Sequence, residues 1–239
     1  MSSNNDHLLL VCGESSTGKS VSLSNLSNVL YLNCESGKRL PFKPKNFKEV
    51  TITDPYQVYE AFEWAENQDD IKTIVIDGLN YLMDMYESVH VLTASNTMQS
   101  WSNYAQFFKN LMQKYVASSS KSVVFTAHTK SALNDKAMVM ETKVPIKGSL
   151  SNQGVESYFS CIVSTKKVTI DDLTDYDNDL LTYTDRERAL GFKYVFQTQI
   201  TKDTVNERMR SPMGLFDDKE TFINNDVTLV LNRLNEYYA

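Results

Sequence analysis

The chain has 239 residues, of which 41% are hydrophobic and 23% charged, which is typical of a globular protein with its own core. We expect one domain over residues 1–239. Its three cysteines are widely separated, so neither a disulfide framework nor a zinc-binding spacing is present, and a reduced cytoplasmic location is expected. No hydrophobic run approaches the length of a membrane span, which predicts a protein that does not enter the membrane. The net charge of −6 repels polyanions, so any nucleic-acid contact requires a local basic patch.

A hydrophobic run from Leu8 to Val11 predicts the first strand, and a glycine-rich segment follows it directly. That segment reads Gly13, Glu14, Ser15, Ser16, Thr17, Gly18, Lys19, Ser20. The spacing Gly-x4-Gly-Lys-Ser is that of a phosphate-binding loop, whose amides surround a phosphate while the lysine reaches the outer phosphates. We expect all eight residues to bind the nucleotide, Lys19 also to act in catalysis, and the Ser20 hydroxyl to ligate Mg²⁺. A helix predicted to start after the loop would direct its positive end at the same anion.

The next two predicted strands each end near a carboxylate. Val29 to Asn33 precedes Glu35, and Thr73 to Ile76 precedes Asp77. Because the carboxyl ends of neighbouring parallel strands meet at the bound ligand, Asp77 is expected to hold Mg²⁺ through its water shell. Glu35 is expected to align or deprotonate the attacking water. The alternatives are that Asp77 caps a helix and that Glu35 is a surface acid.

Helical patterns separate these strands. Pro55 fits the first turn of a helix capped by Asp54, and hydrophobic residues then recur at helical spacing from Val58 to Ala65. A second helix is predicted from Trp101 to Val116, and we assign its aromatic residues to the core. A fourth strand covers Ser122 to Thr126. Strands alternating with such helices predict an α/β fold with a mostly parallel central sheet and crossover helices.

The last third of the chain has a different character. Tyr158 to Ser164 and Phe192 to Thr201 are rich in β-branched and aromatic residues, which predicts antiparallel strands added to the sheet. Between them, Asp171 to Asp179 is strongly acidic, and we interpret it as a solvated hairpin loop, because it lacks the glycine and glutamate of a calcium loop. Residues 225–238 predict a capped amphipathic helix. Its inward-facing positions are Val227, Val230, Leu231 and Leu234.

Four features together resemble the core of RecA-type recombinases. They are the phosphate-binding loop, the strand ending at Glu35, the Thr-Ile-Val-Ile-Asp77 strand and the polar His128 after the next strand. The similarity is greatest to the short, core-only RecA-like ATPases of bacteriophages, which anneal single-stranded DNA, and extends over about Leu8 to Phe216. It implies a RecA-like P-loop NTPase fold with ATP and Mg²⁺ as cofactors. It also implies that Glu35 activates water and that His128 senses the γ-phosphate, although a histidine satisfied by a backbone carbonyl is the alternative.

The resemblance further assigns a mobile DNA-binding loop to residues 129–148. Its lysines are Lys130, Lys136, Lys143 and Lys147. Lysines among small, polar and Met residues suit phosphate contact in a loop that orders on binding, although a merely solvated loop has the same composition. Farther on, the resemblance places cations that reach a neighbouring subunit's nucleotide at Lys202, Arg208 and Arg210, where surface salt bridges are the alternative.

Only Met1 to His7 precede the first predicted strand and the printed sequence ends at Ala239, so we expect neither the N-terminal polymerisation segment nor the DNA-gathering domain of bacterial RecA. A ring or short homo-oligomer is therefore as consistent with the chain as a filament. The leading interpretation is an Mg²⁺-dependent ATPase that oligomerises on single-stranded DNA and promotes annealing or homologous pairing in phage recombination. A single-strand-binding protein is a candidate partner. A replication motor or helicase loader and a nucleotide-switched regulator of a protein partner are the alternatives. A small-molecule kinase ranks last, because no arginine-rich lid lies between Asp77 and His128.

Overall fold

The computed structural model describes residues 5–135 and 138–239. Its strands are β1 (Leu8–Gly13), β2 (Ser27–Asn33), β3 (Lys45–Thr51), β4 (Thr73–Asp77), β5 (Ser122–His128), β6 (Lys130–Asn134), β7 (Val139–Lys143), β8 (Cys161–Thr169), β9 (Phe192–Gln197) and β10 (Phe222–Asn224). β6 and β7 form a separate antiparallel hairpin, and the other strands form one sheet in the order β10-β9-β8-β1-β5-β4-β2-β3. Six neighbouring strands run parallel to one another: β8, β1, β5, β4, β2 and β3. The other two, β9 and β10, are antiparallel to their neighbours. The predicted α/β architecture is therefore confirmed.

The helices of the described residues are α1 (Gln57–Glu66), α2 (Leu79–Tyr86), α3 (Thr97–Asn110), α4 (Leu150–Gln153), α5 (Ile170–Leu173), α6 (Asp185–Leu190) and α7 (Val227–Tyr238). α2 and α3 each continue into a wider π-helical turn, Glu87–Val91 and Leu111–Val116 respectively. Within the described ranges, no helix combines the length and the apolar character needed to cross a membrane.

Hydrophobic side chains cover both faces of the sheet. In β1, Leu8 and Leu10 pack on the side of α1, α2 and α3, whereas Leu9 and Val11 pack on the side of α7. Burial on both faces explains why these strands are continuous hydrophobic runs in the sequence. The predicted inward faces of the two amphipathic helices are confirmed as buried: Val58, Phe62 and Ala65 in α1, and Val227, Val230, Leu231 and Leu234 in α7.

The predicted antiparallel strands are confirmed at Phe192 to Thr201, where β9 lies, and only in part at Tyr158 to Ser164. The strand begins at Cys161 and pairs in parallel with β1 on one side, and antiparallel with β9 on the other. Cys161, Ile162 and Val163 are fully buried, as expected for a central strand. β-Branched composition identifies a strand but does not encode its direction.

Two other segments also differ from expectation. The helix expected after the phosphate-binding loop is a single 3-10 turn, Val21–Leu23, because β2 already begins at Ser27. The acidic segment is not a plain solvated loop, since it includes α5 and a 3-10 turn, Thr174–Tyr176. Leu173 anchors it by packing with Val195 in a small core cluster.

Candidate functional site

A cleft of about 350 Å³ opens at the carboxyl ends of the parallel strands. The phosphate-binding segment forms its floor, and Glu35, Lys38 and His128 contribute to its walls. A volume of this size is at the small end of the range for ligand pockets in proteins. The fold therefore places the ends of β1, β2 and β5 around one cavity, as the parallel topology requires.

The side chain of Lys19 spans the loop to which it belongs. Its Nζ donates hydrogen bonds to the carbonyl oxygens of Gly13, at 3.0 Å, and Glu14, at 2.6 Å. Burial lowers the pKa of Lys19 to about 8, and the carboxylates of Glu35 and Asp77 oppose that shift. Because an adjacent anion favours the protonated amine, a phosphate in the cleft would stabilise the charged form of this lysine.

Glycine is needed at two positions of the loop, because side chains from distant parts of the chain approach the loop backbone closely. A β-carbon at Gly13 would overlap Thr165 Oγ1 and lie 2.7 Å from Thr17 Oγ1. Gly18 has a φ of +102°, and its carbonyl oxygen accepts a hydrogen bond of 2.9 Å from Asn225 Nδ2. Thr165 in β8 and Asn225 before α7 therefore hold the loop, and neither was identified from the sequence.

Asp77 and Ser20 are brought together as the sequence predicted. Asp77 is buried at the end of β4, and its Oδ2 accepts hydrogen bonds from Ser20 Oγ at 3.3 Å and from the Tyr31 hydroxyl at 2.5 Å. Its Oδ1 accepts one from Thr126 Oγ1. Hydroxyl and carboxylate oxygens are the ligands that Mg²⁺ prefers, so this pair fits the predicted metal position. Tyr31 and Thr126, which orient the carboxylate, were missed because neither belongs to a recognisable motif.

Glu35 lies between two groups that favour its ionised form. Its Oε1 is 3.5 Å from His128 Nε2, and its Oε2 accepts a hydrogen bond of 2.7 Å from Lys38 Nζ. His128 and then Lys38 lower the pKa of Glu35 to about 2, although burial of the carboxylate opposes them. The carboxylate is therefore ionised at neutral pH, which is the state that a proton acceptor requires.

Backbone hydrogen bonds hold His128 in place. Its amide donates a hydrogen bond of 2.7 Å to Asn80 Oδ1, and the neighbouring Thr129 amide donates one of 3.1 Å to the carbonyl oxygen of Gly13. Asn80 Nδ2 in turn donates to the carbonyl oxygen of Pro145, at 3.3 Å. These bonds join the phosphate-binding loop, the start of the 129–148 segment and its far end.

The segment 129–148, which the resemblance assigns as a mobile loop, contains the β-hairpin formed by β6 and β7. Lys130 and Lys143 are directly opposite each other in its register, so both lie on one face. Lys143 Nζ is 3.4 Å from Glu141, and Lys147 Nζ is 2.5 Å from Glu87. The fourth predicted DNA-binding residue, Lys136, lies outside the described residues.

The three predicted trans-acting cations have different surroundings. Arg208 Nε and Nη2 donate hydrogen bonds of 3.0 and 2.6 Å to Glu141 Oε1, and Nη1 is 3.5 Å from Glu156 Oε2. These are contacts within its own chain, so the alternative of a salt bridge describes Arg208 in this structure. Lys202 and Arg210 are exposed.

A family model matches most of the chain. The model of a family described as AAA domain matches residues 6–206. No curated protein matches the sequence. The matched region contains the hairpin, the parallel part of the sheet and the residues that line the cleft, apart from Asn225.

Proposed function

The chain belongs to the AAA domain family and is thus a P-loop ATPase domain, and we propose that its ATPase activity is coupled to single-stranded DNA. In this proposal the protein is Mg²⁺-dependent, assembles as a homo-oligomer on single strands and promotes their annealing or homologous pairing in phage recombination. The observation that supports the ATPase part is that the phosphate-binding loop and Glu35 line one cleft, where Ser20 of the loop is hydrogen-bonded to the buried Asp77.

Each residue of the cleft has a distinct task in nucleotide hydrolysis. Lys19 binds the outer phosphates, while Ser20 and Asp77 hold Mg²⁺, which neutralises phosphate charge when bound. The ionised carboxylate of Glu35 accepts a proton from the attacking water or orients it. His128, 3.5 Å from Glu35, responds to the terminal phosphate.

Contact with DNA is assigned to the hairpin. It begins immediately after His128 and Thr129, so a change at the terminal phosphate has a short covalent path to Lys130. Lys130 and Lys143 on one face supply the local positive charge that an acidic protein needs for contact with phosphates. Partners in this proposal are single-stranded DNA, further copies of the chain and a single-strand-binding protein.

The decisive experiment measures ATP turnover with and without single-stranded DNA at low salt. We expect stimulation by DNA in the wild type and loss of turnover in Lys19→Ala. The double variant Lys130→Glu/Lys143→Glu should weaken DNA binding and reduce its salt dependence, whereas Lys109→Glu/Lys114→Glu on the α3 side changes the charge equally and should have little effect. Equal turnover with and without DNA would refute the coupling.

A nucleotide-switched regulator of a protein partner is the second candidate, and one observation favours it. The distal part of the hairpin exposes large hydrophobic side chains: Leu133, Met138, Val139 and Met140. Such a surface also suits a protein partner. If the lysine double variant left DNA affinity and its salt slope unchanged, this candidate would replace the DNA assignment. Unwinding of a forked duplex would instead indicate a replication motor or a helicase loader.

A further inference from the structure

The cleft contains a cation that the sequence patterns did not single out. Lys38 lies in its wall together with the phosphate-binding loop, and its Nζ is 2.7 Å from Glu35 Oε2. Its side chain is 66% exposed, whereas that of Glu35 is 7% exposed. Lys38 is also close enough to Lys19 to contribute to lowering the pKa of that lysine. The ammonium group is thus near the phosphate-binding loop but bonded to the proposed proton acceptor.

The backbone of Lys38 is held by hydrogen bonds, whereas its side chain is largely exposed. Ser36 and Gly37 both have a positive φ, of 55° and 76°, which turns the chain back so that the Lys38 amide donates to the carbonyl oxygen of Glu35 at 3.2 Å. The fully buried Asn33 closes this turn from beneath. Its Nδ2 donates to the carbonyl oxygen of Lys38 at 2.9 Å, and its Oδ1 accepts from the Glu35 amide at 3.1 Å.

We propose that Lys38, at the end of the turn from Glu35 to Lys38, binds the γ-phosphate of a nucleotide held by the same chain. When a nucleoside triphosphate fills the cleft, the ammonium group moves from Glu35 Oε2 to the terminal phosphate, and that oxygen becomes available to the attacking water. This inference rests on the proposed function, because it assigns a residue to the same nucleotide cleft.

Electrostatics support the exchange of partners. A triphosphate brings several negative charges close to the ionised Glu35, and the two anions repel each other unless a cation lies between them. Lys38 is placed to reduce this repulsion without a second subunit. Arg208, by comparison, is hydrogen-bonded to Glu141 and ion-paired with Glu156 of its own chain, and it would have to leave both before acting elsewhere.

The test is the relative affinity for a triphosphate and a diphosphate. Binding of ATPγS and of ADP, each with Mg²⁺, is measured by calorimetry for wild type, Lys38→Met and Lys38→Arg. Lys38→Met retains the aliphatic stem and removes the charge. Lys43→Met is the matched control. Lys43 is an exposed lysine five residues after Lys38, and it is not part of the cleft wall.

We expect Lys38→Met to weaken ATPγS about tenfold, as loss of one charged hydrogen bond predicts, while ADP affinity stays within about twofold. Lys38→Arg should retain most of the ATPγS affinity, and Lys43→Met should match the wild type. Equal weakening of both nucleotides, or no change in either, would overturn the assignment of Lys38. Failure of the wild type to bind either nucleotide would instead refute the proposed function itself.

Discussion

Replacement of Arg208 by glutamine tests whether this arginine acts within its own chain. Arg208 joins three separate parts of the structure: its own segment after β9, Glu141 in β7 and the buried Glu156. Glu156 Oε1 also accepts a hydrogen bond of 2.7 Å from the Val144 amide, so the cluster fixes the base of the hairpin.

The expected loss of stability follows from these contacts. The two bonds to Glu141 are partly exposed and contribute about 1 kcal/mol together after screening by solvent. Removal of the guanidinium also leaves the Glu156 carboxylate, which is 1% exposed, without its countercharge. Loss of the partner of a buried polar group costs about 1–3 kcal/mol, and we use this range rather than that of a fully buried ion pair because the Arg208 side chain is 26% exposed. Arg208→Gln should therefore lower the free energy of unfolding by about 2–4 kcal/mol.

Urea denaturation measures this loss, with Arg210→Gln as the control because Arg210 is exposed on the same segment. Hydrogen exchange at the Val144 amide should accelerate in Arg208→Gln alone. If the two variants unfold at the same urea concentration as the wild type, the intrachain role is refuted. A lower kcat at unchanged stability would instead indicate that Arg208 acts on a neighbouring subunit's nucleotide.

Other predictions concern the cleft. Lys19→Ala should lower the rate of phosphate release from ATP at least about 100-fold, because a pre-positioned cation is lost, and an unchanged rate would contradict its assignment. Glu35→Gln should retain ATP affinity while kcat falls about 10²–10⁴-fold; a parallel loss of affinity would argue against a role in activating water. Because the pKa of Glu35 is lowered from 4.5 to about 2, its contribution to stability is complete above pH 4.5 and is lost as the pH falls towards 2. Urea midpoints of Glu35→Gln should therefore depend less on pH in that window than those of the wild type. Gly13→Ala should lower the Tm and nucleotide affinity, since its methyl group would overlap Thr165, and a wild-type Tm would show that the loop adapts.

The parts of the site that the sequence predicted are those encoded by local patterns. The phosphate-binding loop is a continuous motif, and Asp77 follows a hydrophobic strand whose place in a parallel sheet fixes where its end lies. Ser20 meets Asp77, and Glu35 meets His128, as that topology requires. Their chemical roles are still predictions.

The contacts that hold the site could not be predicted, because they join residues far apart in sequence. Thr165 reaches Thr17 across 148 positions, and Asn225 reaches Gly18 across 207. Neither residue carries a local signal, since threonine and asparagine are common in strands and loops without such a role. Lys38 was missed for a different reason: its contact with Glu35 is local, but it depends on the left-handed turn at Ser36 and Gly37.

The shape of the hairpin could likewise not be predicted from the sequence. Its lysines were visible in the sequence, but the pairing of Lys130 with Lys143 depends on a register that composition does not encode. The ion pair between Lys147 and Glu87 likewise depends on packing of the segment against the end of α2. Composition therefore predicted the charge of this region, and the structure supplied its shape.

A single titration tests whether ATP hydrolysis in this cleft is coupled to single-stranded DNA. The rate of ATP hydrolysis by the full chain is measured with Mg²⁺ at low salt while single-stranded DNA is added. We expect a saturable rise in kcat that disappears at high salt, since in this proposal the hairpin lysines contact the phosphates. A rate that stays constant over the whole titration would contradict it.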